Sequence, residues 1–246
     1  MRVESRERWP VPLGLAALGI VALVSDLGGV LFKAPLGPAG VTFGDWIDAL
    51  GAFAAIALYA SIASGLAARW QRPVPAFLQV AAAAYAMGRG IHLAANSIHD
   101  MIDRTGGADP WGLVYFWDEH ASHYMVDAAR ISLALGLVSL ELRPQSGDGA
   151  EDAWGGRGGR AALLVGAIAY GFTYFASAVE GQTVPLALPY AVAFAVWGTG
   201  GGGRVRAPGP TRIFFTVAAL TSLVFFAIWG IWQHGFPEFT RAGIIR

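Results

Sequence analysis

The chain contains no cysteine among its 246 residues. Disulfides, thiolate metal sites, iron–sulfur clusters and a cysteine nucleophile are therefore excluded. Charge is scarce too: only 14% of the residues are charged, against roughly a quarter in a soluble domain. Formal net charge is zero, so the basic footprint of a nucleic-acid-binding protein is missing. The sole lysine, Lys33, ends the first apolar run, which leaves no late lysine for a retinal Schiff base. The glycine-rich stretch 199–210 (TGGGGRVRAPGP) lacks the GK[ST] ending of a phosphate loop and follows no strand.

What the chain has instead is apolar sequence, 55% of its residues. Runs of about 20 apolar residues match the length of a bilayer-spanning helix. Seven such runs are expected, at about 11–32, 46–68, 75–102, 112–142, 161–181, 184–199 and 212–234. The first exceeds the apolar core of a signal peptide and no small-residue cleavage motif follows it, so it is read as a retained span. The sixth carries Pro185 and Pro189 and is expected to be kinked or half-embedded. Trp9, Trp46, Trp70, Trp111, Trp117 and Trp232 lie near span ends, where indole rings anchor at the interface. The expected fold is a single all-α polytopic membrane domain, a bundle of seven transmembrane helices in the cell membrane.

Arginine sets the expected orientation. With the N-terminus cytoplasmic, the inner segments carry Arg2, Arg6, Arg8, Arg69, Arg72, Arg143, Arg157, Arg160, Arg204, Arg206 and Arg212. The outer segments carry only Lys33, Arg104, Arg241 and Arg246. The positive-inside rule therefore gives a cytoplasmic N-terminus and an extracytoplasmic C-terminus.

Four of the five histidines fall within residues 92–123, in GRGIHLAANSIHD (88–100) and DEHASHYMVDAAR (118–130). Ionisable groups at membrane depth are costly and face a bundle interior or a water-filled cavity. Spans three and four run in opposite directions, so His92, Asn96, His99, Asp100 and Asp103 share a level with Asp118, Glu119, His120 and His123. Asp26, Glu180 and His234 end outward-running spans at the same side. At about 100° per residue, Arg89, His92, Asn96, His99, Asp100 and Asp103 form one stripe, and Glu119, His120, His123, Asp127 and Arg130 form another. Arg89 and Asp127 lie deeper, and an Arg89–Asp127 ion pair locking the two helices is expected.

Imidazole with carboxylate suits zinc, copper or non-haem iron. His120 and His123, three residues apart, can chelate one ion. The expected ligands are His99, His120 and His123 with a carboxylate from Glu119 or Asp118. His92, two turns from His99, joins from below or relays protons. Asp118, Glu119 and Asp100 are the candidate catalytic carboxylates, with Ser97, Ser122 and Tyr124 candidates to position a substrate. These residues point to a metal-dependent membrane enzyme acting on a lipid or hydrophobic small molecule, hydrolytic before oxidative. Two alternatives stay open. One is haem b held by His92 and His123. The other is a transporter or a non-catalytic subunit of an oligomer or membrane complex. For Asp26, contact with the site and pairing elsewhere are equally open. Glu180 and Gln182 are expected in an exposed outer turn, and His234 in an exposed or capping position.

Overall fold

The computed structural model describes residues 11–37, 41–69, 73–99, 110–142, 156–200 and 209–244. Seven long helices carry the fold. They are α1 (Val11–Leu31), α2 (Phe43–Arg69), α3 (Ala76–His99), α4, α5 (Gly156–Glu180), α6 (Val184–Thr199) and α7 (Pro210–Trp232). α4 is continuous but made of three pieces: Pro110–Tyr115, a π-helical segment Phe116–Ser122, and His123–Glu141. Each helix overlaps one of the seven apolar runs.

Local chemistry explains where several helices begin. α2 starts three residues before the apolar run because Thr42 and Asp45 form a capping box. The Thr42 N–H and hydroxyl donate to Asp45 Oδ2 at 2.7 and 2.9 Å, and the Asp45 N–H returns to Thr42 Oγ1 at 3.2 Å. α7 is capped from another helix. Glu141, at the end of α4, accepts the N–H groups of Thr211 and Arg212 at 2.9 and 2.8 Å. A carboxylate there satisfies orphan donors and faces the positive end of the helix dipole.

Four helices, α1, α2, α5 and α7, are long and apolar enough to cross a membrane, and α6 is apolar but only 16 residues long. The α6 helix runs on through Pro189 and spans roughly 24 Å. Their outward faces are hydrophobic, with Ile20, Val24, Phe53, Val165, Ile168, Val224, Ile228 and Ile231 all exposed. A helix with apolar side chains on every face belongs in a core or a membrane, and this bundle has the surface of a membrane protein.

α3 and α4 carry most of the polar stripe residues. α4 is the central helix, packing against α2, α3, α5, α6 and α7. From Val126 to Leu140 it buries ten residues, Asp127 and Arg130 among them. Neighbouring helices shield the most polar helix, which is how ionisable groups persist at membrane depth.

The remaining seams are mainly apolar. α1 crosses α5 at Gly19 and Gly166, where a Cβ on either glycine would run into the other helix's backbone. Such close approach is the usual device of helix pairs in lipid. α5, α6 and α7 interdigitate through rings, among them Tyr170–Phe214 at 5.5 Å, Phe175–Phe226 at 5.2 Å and Tyr174–Tyr190 at 5.6 Å.

Candidate functional site

The polar residues of α3 and α4 meet in two tiers. The first lies at the π-helical segment. His92 Nδ1 of α3 stands 2.9 Å from Asp118 Oδ1 of α4, and the His92 and His123 rings pack edge to face at 4.8 Å. His123 Nε2 lies 3.9 Å from Glu119 Oε2. Asp118 and Ser122 are fully buried. The α5–α6 turn closes this tier, because Gly181 lies directly against the His123 ring. Any Cβ at Gly181 would overlap that imidazole.

The π-helical segment re-aims the side chains. A π turn bonds i to i+5 and is wider than an α turn, and such bulges are frequent at functional sites. The stripe deduced at 100° per residue places His120 beside His123. In the structure His120 turns instead to Tyr115 and Phe116, with ring separations of 5.6 and 6.3 Å. His120 thus makes its ring contacts on its own helix, while His123 packs on His92. Asp118, one residue outside the α-helical stripe, is the carboxylate that meets His92.

The second tier is an ionic network joining four helices. Arg89 of α3 contacts Asp26 of α1 at 3.1 Å and forms a close ion pair with Asp48 of α2. Arg130 of α4 reaches the other oxygen of Asp26 at 3.5 Å and Asp127 Oδ1 at 3.6 Å. Its guanidinium also lies 5.9 Å from the centre of the Tyr85 ring. The Thr183 hydroxyl, from the α5–α6 turn, donates to Asp127 Oδ2. The expected Arg89–Asp127 pair is replaced: among the described residues Arg89 is taken by Asp26 and Asp48, and Asp127 by Arg130 and Thr183. Both residues still belong to one network, linked through Asp26 and Arg130.

Below the network the polar chain continues in tyrosines. The Tyr59 and Tyr170 hydroxyls are 2.8 Å apart, and Tyr59 packs against Tyr85 at 6.4 Å.

The C-terminal segment after α7 folds back over the tier of histidines. Glu180 accepts the Phe239 N–H at 2.7 Å and also binds the Thr240 hydroxyl. Trp229 Nε1 donates to the Pro237 carbonyl at 3.1 Å, and the Tyr115 hydroxyl donates to Glu238 Oε1 at 3.3 Å. Glu180 is thus a tether rather than an exposed loop residue, while His234 is exposed with a positive φ of 53°.

Several expected residues contribute little to this convergence. The Ser97 hydroxyl bonds the Leu93 carbonyl at 2.8 Å and Ser122 bonds the Asp118 carbonyl, both one turn back on their own helix. Tyr124 is exposed. Asp100 and Asp103 lie outside the described residues, and of His99 only its place as the last residue of α3 is described. Among the described residues, no three His, Asp or Glu side chains stand together as a ready metal-holding group. Buried imidazole nitrogens are nonetheless left over: His120 Nδ1 and His123 Nε2 have no hydrogen-bond partner among the described residues. A haem between His92 and His123 would need the two touching rings, and so α3 and α4, to separate.

Four contributors gave weak sequence signals. Asp48 sits at the edge of an apolar run, and Thr183 and Gly181 lie in a short turn. Glu238 lies beyond the last span. Compared with known proteins, the chain matches no family model, no curated protein and no solved structure.

Proposed function

We propose that the chain is a membrane-embedded metalloprotein, a metal-dependent enzyme acting on a lipid or other hydrophobic substrate. The observation that carries this reading is a run of pairwise contacts, Asp118 to His92, His92 to His123 and His123 to Glu119, at a π-helical segment inside the bundle. Those four residues replace the trio of His99, His120 and His123 as the favoured ligand set, with His120 and His99 at its margin. Two imidazoles and two carboxylates suit zinc, copper or iron. A buried imidazole nitrogen without a hydrogen-bond partner, as at His123 Nε2, is a position that a bound ion explains.

A bound divalent ion would polarise a carbonyl and bring the pKa of a coordinated water to about 7. The chain's own residues do the rest. Asp118 orients His92 through its Nδ1 contact, as carboxylates orient metal-binding histidines. Glu119, half-buried beside His123, is the group placed to accept a proton. Phe116 and Trp117 point outward on the same segment, so a hydrophobic substrate in the bilayer has an apolar approach. The arginine distribution supports an extracytoplasmic position for this end of the bundle. Hydrolysis is preferred to oxidation because it needs no redox partner.

The test is elemental analysis of protein purified without chelators, for wild type, His92→Ala and His123→Ala. Wild type is expected to carry a transition metal or zinc that both variants lose. A metal-free wild type overturns the reading. A transport role is the second reading, favoured by the polar chain running from Asp26 through Arg130 and Tyr85 to Tyr59 and Tyr170. Proton or ion flux in proteoliposomes, abolished by Tyr59→Phe, would select it.

A further inference from the structure

The ionic network is unbalanced. Arg89 and Arg130 supply two positive charges, and Asp26, Asp48 and Asp127 supply three negative ones when ionised. All five lie inside a bundle whose outward faces are apolar, and an uncompensated charge there is expensive. From this geometry we infer that the network is a proton-binding site and that Asp127 is the residue that holds the proton.

The three carboxylates differ in how well they are compensated. Asp26 gives one oxygen to Arg89 and the other to Arg130. Asp48 is in direct contact with Arg89. Asp127 is fully buried, and its nearest cation is Arg130 of its own helix, at 3.6 Å. Among the described residues its one hydrogen bond comes from a neutral hydroxyl, that of Thr183. The excess negative charge is therefore least tolerable at Asp127. Charged and titratable groups face it from each side. Arg130 is on α4, Asp26 on α1, Arg89 on α3, and Tyr170 and Tyr174 on α5, with Tyr190 of α6 packed beyond Tyr174. Only the two arginines are cations, and both are shared with other carboxylates.

A bound alkali cation would also restore balance, but it needs several oxygen ligands. Among the described residues around Asp127 no second carboxylate is free to supply them: Asp26 and Asp48 are occupied by guanidiniums. A neutral carboxylic acid hydrogen-bonded to Thr183 needs no further partner ion. The inference is independent of metal at the histidine tier.

The test is infrared spectroscopy of the full-length protein in nanodiscs, with thermal melts alongside. Wild type is expected to show a protonated-carboxyl C=O band at neutral pH that Asp127→Asn removes and Asp48→Asn leaves. Asp127→Asn, which resembles the neutral acid in size and polarity, is expected to melt at or above the wild-type temperature. Asp26→Asn, which strips both arginines of a partner, is expected to melt well below it. A band that survives Asp127→Asn overturns the assignment. So does an Asp127→Asn protein that fails to fold or melts as low as Asp26→Asn. A sodium-dependent rise in melting temperature, present in wild type and lost in Asp127→Asn, would make the site one for an alkali cation and overturn the proton.

Discussion

Two sides of this bundle are held together by different forces. Where α3 and α4 meet α1 and α2, the interior contains three aspartates, two arginines and, one tier away, two histidines with their carboxylates. Where α5, α6 and α7 meet, the interior is rings, with Phe172, Phe175, Phe225, Phe226 and Trp229 in mutual contact. In lipid, apolar surface has little to gain by leaving its surroundings, so helices associate through tight packing and polar contacts. The aromatic side uses the first. The ionic side uses the second, which makes it brittle: its energy is concentrated in few atoms, and each must keep its partner. A protein needing only stability has no reason to accept that. The concentration of buried charge on one side accords with the proposed function.

The largest expected effect strikes the ionic side. Arg89→Ala leaves Asp26 and Asp48 without their shared cation and should cost about 3–5 kcal/mol, seen as a large drop in melting temperature in detergent. An unchanged melt would mean that the network contributes nothing to the fold, and the contrast between the two sides would collapse.

Next comes the apolar packing. Gly19→Val drives side-chain atoms into the α5 backbone at Gly166 and is expected to cost about 1–3 kcal/mol. Gly29→Ala, where nothing lies within 4 Å of the added carbon, is the matched control and should lose no stability. If both behave alike, the α1–α5 seam is looser than the structure shows.

A third change separates stability from function. Gly181→Ala forces the His123 ring to move, at a cost near the low end of the same range, about 1 kcal/mol. Under the metal reading, bound metal should fall several-fold in this variant while the melting temperature falls far less than for Arg89→Ala. Metal content tracking stability in step would show that His123 is held by the fold as a whole and not by this turn.

How much of this was legible in the sequence depends on the range of the interaction. Helix positions were legible because each helix must present about 20 apolar residues to lipid, a local property. The α3 stripe was legible for the same reason: Arg89, His92 and Asn96 follow the α-helical period over a regular helix. The partner of Arg89 was not legible, since it depends on how α1 and α2 are rotated against α3. Asp26 and Asp48 are single acids in apolar runs, with no period to reveal which way they face. The ring partners of His120 were not legible for a different reason. The stripe at 100° per residue assumes a uniform turn, and the π-helical segment from Phe116 to Ser122 breaks that uniformity. Thr183 and Gly181 sit in a three-residue reversal, where Gln182 adopts a left-handed φ of 55°, and nothing local marks their reach into the site.

The smallest expected effect tests whether charge matters outside the buried side. Arg241 lies on the C-terminal segment, mostly exposed, with Nε 3.0 Å from Glu238 Oε2 and Nη2 donating to the Tyr115 hydroxyl at 3.3 Å. The Tyr115 hydroxyl and the Glu238 carboxylate raise its pKa above the ordinary arginine value. It therefore stays charged at any working pH. Exposed ion pairs contribute less than about 1 kcal/mol and weaken with salt. The segment has stronger anchors: Phe239 packs on Phe175 at 5.8 Å and on Trp229 at 4.6 Å, and its N–H is held by Glu180. Arg241→Ala should therefore leave hydrogen exchange across residues 236–244 nearly unchanged, whereas Phe239→Ala should raise it strongly. The reverse order would mean that this segment is docked by surface charge, and that polar contacts hold the chain together well beyond the buried network.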